Sequence, residues 1–254
     1  MNNIRPLIED CCGWNRRTWG DAIAFALAAL PKDLRGKTVL EIGAGRYSSL
    51  SPIFAALGAD TYCSYYGQAR ESIENGALRH VSEKHKINGI GLLELDIHRP
   101  TGTYDVIVLK SVLGGICRGN DYAKVGGVIR GLMDHLSEDG VIVTLDNGHL
   151  GPLARMSELF GAGKNRWTYF KQDQLQECLA GYDVESRGFG FLNFGAARFM
   201  LGRDVEGLEV VNNAIHTVDA ALLRLFGFRR RAVLATVIRK RQARSEWAPV
   251  RRAG

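Results

Sequence analysis

The chain has 254 residues, 46% of them hydrophobic, and a net charge of +6 at neutral pH. That length and composition suit one large domain with a sizeable core and exclude extended disorder outside the ends. The charge is local: from Arg239 onward six basic residues face one acid, a net +5. The remaining body is near neutral, which argues against a nucleic-acid partner.

Residues 1–36 read as a leader with one clear helix, whose apolar face is Trp19, Ala22, Ile23, Phe25, Ala26 and Leu30 and which Pro31 closes. The opening residues carry Glu9 and Asp10 and lack an apolar core, so no secretory signal is expected. The run Ala22 to Leu30 is far short of a membrane span. Val39, Leu40 and Ile42 then form a buried strand. The strand stops at Gly43-Ala44-Gly45, where glycines let the backbone turn tightly and approach a ligand. Leu50, Ile53, Phe54 and Leu57 follow at helical spacing. A strand that enters a glycine turn and leaves as a helix points its amino-terminal N–H groups at the crevice above a parallel sheet, where such sheets bind ligands. The pattern is E-x-G-x-G, with Glu41 inside the strand and Ser48 where the third glycine of a dinucleotide fingerprint would fall.

Thr61 to Tyr65 is a second strand, and its end, Cys63-Ser64-Tyr65-Tyr66, has no acid. Residues 67–90 are polar and read as a solvated helix and loop; His80 and His85 do not have metal-pair spacing. Gly91 to Leu95 is a third strand, followed by Asp96 and Ile97; Asp96 also suits a turn cap before Pro100 and Gly102. Tyr104 to Leu109 is a plain buried strand that runs into Lys110-Ser111-Val112-Leu113-Gly114-Gly115. A crossover helix is expected over Tyr122 to Leu136, a turn at Ser137 to Gly140 and a fifth strand over Val141 to Leu145. Asp146-Asn147-Gly148-His149 puts polar groups at that strand's carboxyl end. The alternation then breaks into an insertion over residues 150–170, which holds Asn165-Arg166-Trp167. Gln172 to Leu179 is a helix and Asp183 to Arg187 a sixth strand. A second insertion spans 189–230, with a glycine- and phenylalanine-rich run and an amphipathic helix from Val205 to Leu225, before the closing strand Ala232 to Ile238. This stretch is too long for a simple loop in a compact domain and reads as a substrate cap or a homodimer element. The basic tail, 241–254, is a solvated terminus or makes weak contact with an anionic membrane surface. Five cysteines, with no C-x-x-C spacing, indicate neither a disulfide framework nor a zinc site and suit reduced thiols in a cytoplasmic protein.

The E-x-G-x-G turn, the acid after the third strand and the segment K-S-V-L-G-G resemble class I S-adenosylmethionine (SAM)-dependent methyltransferases. The last of these is similar to a subgroup that tailors surface polysaccharides and other saccharides. The resemblance implies an α/β, Rossmann-like, seven-stranded and mostly parallel sheet with helices on both faces over residues 37–240. It implies that Glu41, Gly43, Ala44 and Gly45 form the loop under the methionine part of SAM. Tyr65 stands where an acid usually holds the ribose, and Asp96 and Ile97 stand where the adenine is met. Lys110 and Ser111 fall where the transferring methyl group lies and suit the cofactor or an acceptor hydroxyl. A general base also helps an alcohol acceptor, and His149 is the first candidate, with Asp146 to orient it and Lys110 to stabilise a developing alkoxide. No metal site is assigned. The expected reaction is O-methylation of a saccharide or a glycosylated or other small metabolite, leaving S-adenosylhomocysteine. Two alternatives remain: a binding module on the same fold that has lost catalysis, and a nicotinamide-dependent oxidoreductase, against which the glycine spacing argues.

Overall fold

The computed structural model describes residues 4–118, 121–148, 168–191, 206–226 and 231–241. His149, the Asn165-Arg166-Trp167 segment, most of the first insertion and residues 242–254 of the tail lie outside them. The described residues contain one seven-stranded sheet, ordered β3-β2-β1-β4-β5-β7-β6. Its strands are β1 (Thr38–Ile42), β2 (Asp60–Tyr65), β3 (Gly91–Glu94), β4 (Tyr104–Lys110), β5 (Leu136–Asn147), β6 (Asp183–Phe189) and β7 (Val233–Arg239). Pairing is parallel from β3 through β5, and β7 is antiparallel to both β5 and β6. The expected mixed sheet is therefore present.

Two layers of helix cover it. On one face lie α1 (Arg5–Cys12), α2 (Arg16–Ala28) and α3 (Ser51–Ala56). Their Leu7, Ile8, Trp19, Ile23, Ile53 and Phe54 pack on Val39, Val106, Val108, Val143 and Val237. After α4 (Arg70–Glu74) and α5 (Ala77–His85), the opposite face is covered by α6 (Leu113–Ile116), α7 (Ala123–Met133) and α8 (Gln172–Cys178). There Val125, Ile129, Leu132 and Leu175 pack on Leu40, Ile107, Leu109 and Ile142. Burial on both faces explains why β1 and β4 read as continuous apolar runs rather than alternating ones. Each fully buried aliphatic side chain contributes about 1.5–3 kcal/mol.

Three boundaries differ from the sequence reading. The leader contains two helices, broken at Gly13-Trp14-Asn15, because Gly13 has φ +81° and Asn15 φ +47°, both left-handed. The turn expected at Ser137 to Gly140 is a bulge inside a longer β5: Tyr104 pairs with Leu136, and the ladder resumes at Val106 with Val141. Residues 67–90 hold the two short helices α4 and α5, and His85 is tied to Asp10 of α1 at 2.7 Å. The last helix, α9 (Glu206–Phe226), belongs to the second insertion. Its His216 Nε2 pairs with Asp21 of α2 at 2.9 Å, so the insertion rests on the leader.

Candidate active site

The order β3-β2-β1-β4-β5 reverses direction between β1 and β4, so the chain leaves their carboxyl ends toward opposite sides and opens a crevice. The glycine turn sits at that crevice. Gly43 has φ +82°, and a Cβ there would stand 2.2 Å from Val112 Cγ2, so both backbone freedom and lack of a side chain are needed. Gly45 is different: a Cβ there would meet nothing within 4 Å, and its φ is outside the left-handed range. The space beside Gly45 is therefore open rather than filled by protein. Gly45 and Ser48 close the loop by mutual backbone bonds of 3.0 and 3.4 Å.

Glu41 is buried and makes no ion pair among the described residues. It accepts from Ser49 Oγ (2.6 Å), Leu50 N (2.7 Å), Ser51 N (2.8 Å) and Ser51 Oγ (2.6 Å). A carboxylate so surrounded by donors clamps the start of α3 and shapes the turn. Ala44 packs with Cys63, Ile73 and Leu78 beneath the loop.

Lys110, at the end of β4, is 5% exposed. Its Nζ lies 4.0 Å from the centre of the Trp14 ring and 4.2 Å from that of Trp19, and donates to Ser48 Oγ at 3.2 Å. The broken corner between α1 and α2 thus covers the glycine loop, and a Cβ at Gly13 would stand 2.3 Å from the Tyr47 carbonyl oxygen. Burial pushes the Lys110 ammonium down to about 8, against the pull of the Cys12 and Glu41 side chains. Ser111 follows in the left-handed region at φ +55°, donates its N–H to the Leu145 carbonyl at 2.7 Å and accepts from Asn147 Nδ2 at 3.3 Å.

The sequence candidates do not all meet. Lys110 pairs with Leu145 in the ladder, so Asp146, one residue on, faces the other side of the sheet. There it is fully buried; Oδ1 accepts from Leu113 N at 3.2 Å, while Oδ2 has no hydrogen-bond partner. Burial pushes Asp146 up to about 7, against the pull of the α6 N–H groups, Leu113 first. Asp146 and Lys110 are therefore separated by the sheet. Tyr65 ends β2 and lies under the Arg70 guanidinium, 5.8 Å from its ring centre. Asp96 accepts from His98 N at 2.9 Å, the turn-cap geometry, and Ile97 packs on the α7-side core. Tyr65 and Asp96 stand on adjacent strand ends, since Leu95 N donates to the Tyr65 carbonyl at 2.8 Å. Ser49 and Ser51 are partners of Glu41 that no expectation named, and two hydroxyls just after an acid-glycine turn are the signal for them.

Among the described residues no three His, Cys, Asp or Glu side chains are grouped to hold a metal ion, and no helix is long and apolar enough to cross a membrane.

Comparison with solved structures gives the class of fold: the chain has the Rossmann-like fold of methyltransferases. The magnesium protoporphyrin IX methyltransferase ChlM of Synechocystis PCC 6803, with SAH bound, matches with a TM-score of 0.53 at 14% identity, over 94% of this chain and 89% of that one. The mitomycin 7-O-methyltransferase MmcR matches with 0.53 at 16% identity over 89% of this chain, which spans only 56% of MmcR. DhpI, solved as a complex with SAM, matches with 0.53 at 11% identity, over 93% and 92% of the two chains. No protein-family model matches the sequence, and neither does any curated protein.

Proposed function

We propose that this chain is a SAM-dependent methyltransferase that methylates a hydroxyl oxygen, with a saccharide or a glycosylated or other small metabolite as acceptor. The observation that carries the reading is the glycine turn at the β1–β4 reversal, clamped by Glu41 and open beside Gly45. That cradle fits a ligand lying flat on the loop backbone. Gly43 to Gly45 would support the methionine part, Tyr65 the ribose and Asp96 with Ile97 the adenine. The solved methyltransferases with SAM or SAH bound support the cofactor by analogy of fold. The acceptor class rests on the resemblance of Lys110 to Gly115 alone, since fold does not fix substrate.

The SAM sulfonium supplies an already activated methyl group. The chain must then align the acceptor oxygen, exclude water and accept the hydroxyl proton as the new O–C bond forms. Trp14 and Trp19 keep the Lys110 end of the site dry. Lys110 is proposed to meet a developing alkoxide, which requires its Nζ to leave the two indole rings and Ser48 that hold it. His149, which follows Gly148 in the sequence, is the proposed base. Asp146 acts instead as an anchor for α6. A binding module without turnover is the second reading, because Tyr65 cannot match the paired acceptance of a carboxylate.

Transfer of a labelled methyl group from SAM to a panel of sugars and hydroxylated metabolites tests both. His149→Ala is expected to lower turnover by roughly 10²–10⁴ with unchanged SAM affinity. Unchanged turnover removes His149 from the mechanism, and SAM binding with no acceptor at all favours the module.

A further inference from the structure

A second cavity, of about 410 Å³, opens at the carboxyl end of β6, between α2 and α9. That volume is in the range of small-molecule sites, roughly 300–1,000 Å³. It is separate from the glycine turn. Thr18 and Asp21 line it, whereas the neighbouring Trp19 points from the same helix to Lys110.

Arg231, just before β7, is built into its wall. The side chain crosses Gly188, where a Cβ would stand 2.1 Å from Arg231 Cγ. Its carbonyl oxygen would be 2.2 Å from a Cβ at Gly148. Two glycines thus make room for one arginine. Yet Arg231 Nη1 is buried and has no hydrogen-bond partner among the described residues. Burial lowers the affinity of this guanidinium for its proton, and Asp219 offsets that only in part.

The acids of the cavity are already engaged. Asp21 accepts from Arg5 Nη1 at 2.8 Å and pairs with His216 at 2.9 Å. Asp219 accepts from Phe191 N at 2.7 Å. Arg187 also lines the cavity, stacked between Phe25 and Phe189 at 5.9 and 5.5 Å, and pairs with no acid among the described residues. A buried donor of a charged group, left unpaired beside an open polar space, calls for an anionic acceptor there.

We propose that this cavity binds a small metabolite through a carboxylate or phosphate group held by Arg231 and Arg187. The volume leaves room for the hydroxylated body of a molecule such as a sugar acid or a sugar phosphate. The proposal does not depend on methyl transfer.

The test is calorimetric titration of the full chain, at fixed ionic strength, with glucuronate, glucose 6-phosphate and glucose. At least one of the two anions is expected to bind saturably while glucose does not. Arg231→Gln should weaken that binding at least about tenfold, the scale of a lost hydrogen bond from a charged group. Arg187→Gln, at an exposed position that leaves the core untouched, should weaken it as well. Binding of glucose as tight as that of the anions, no binding of either anion, or unchanged affinity in both variants overturns the proposal.

Discussion

At the scale of single residues, the site is set by two buried carboxylates with opposite surroundings. Glu41 has four short donors around it, from Ser49, Leu50 and Ser51. Asp146 is equally buried but its Oδ2 is unpartnered, and it sits near pKa 7. The fold therefore prefers protonated Asp146 more than the unfolded chain does, whose carboxyl titrates near 3.8. Its stabilising contribution is complete below the unfolded value and is lost as pH rises through 7. Asp146→Asn keeps the acceptor for Leu113 N and cannot ionise. Relative to the parent, the variant should gain about 2–3 kcal/mol in going from pH 5 to pH 8, read by urea denaturation at both values. An equal difference at the two pH values would contradict this account of Asp146. The acids themselves were legible in the sequence, because each ends a core strand. Their partners were not. Which face Asp146 takes depends on the β4–β5 register, and a one-residue slip would have put it beside Lys110.

At the scale of elements, the glycine turn and the segment after β4 form one unit. Gly43 approaches Val112 so closely that the two loops fix each other. Gly43→Ala places a Cβ at 2.2 Å from Val112 Cγ2 and a side chain at φ +82°, and should cost about 2–4 kcal/mol. Adding Val112→Ala removes the clash and leaves the backbone strain, so the double variant should be more stable than the sum of the single ones, by thermal or urea unfolding. Strict additivity would uncouple the loops. The turn itself was legible from E-x-G-x-G after an apolar run. Its pairing with Val112 was not, because it joins residues almost seventy positions apart. The helix with Trp19, Ile23 and Ala26 on its buried face was legible in the leader, whereas the shorter helix Arg5–Cys12 before it was not. The break between them lies at Gly13 and Asn15, both with positive φ, and the close approach of Gly13 to the Tyr47 carbonyl is a contact that no local pattern encodes.

At the scale of the whole molecule, alternation of strand and helix already predicts a doubly wound sheet. Seven strands in the observed order place the reversal between β1 and β4. The long interval before β7 was also legible, as was its helix. Where that helix rests was not. It is tied to α2 through His216 and Asp21, and this long-range pair brings the leader and the insertion to one cavity. The acceptor side remains the least legible part, since His149 and most of the first insertion carry no repeating pattern. Calorimetric titration of S-adenosylhomocysteine into the parent chain and into Gly45→Leu tests whether the open glycine turn is the proposed SAM site. A Cβ at Gly45 meets no protein atom within 4 Å and the backbone there is outside the left-handed range, so the variant should fold with an unchanged melting temperature. Saturable one-site binding to the parent and none to the variant is the expected result. No binding to the parent, or equal binding to both, would contradict it.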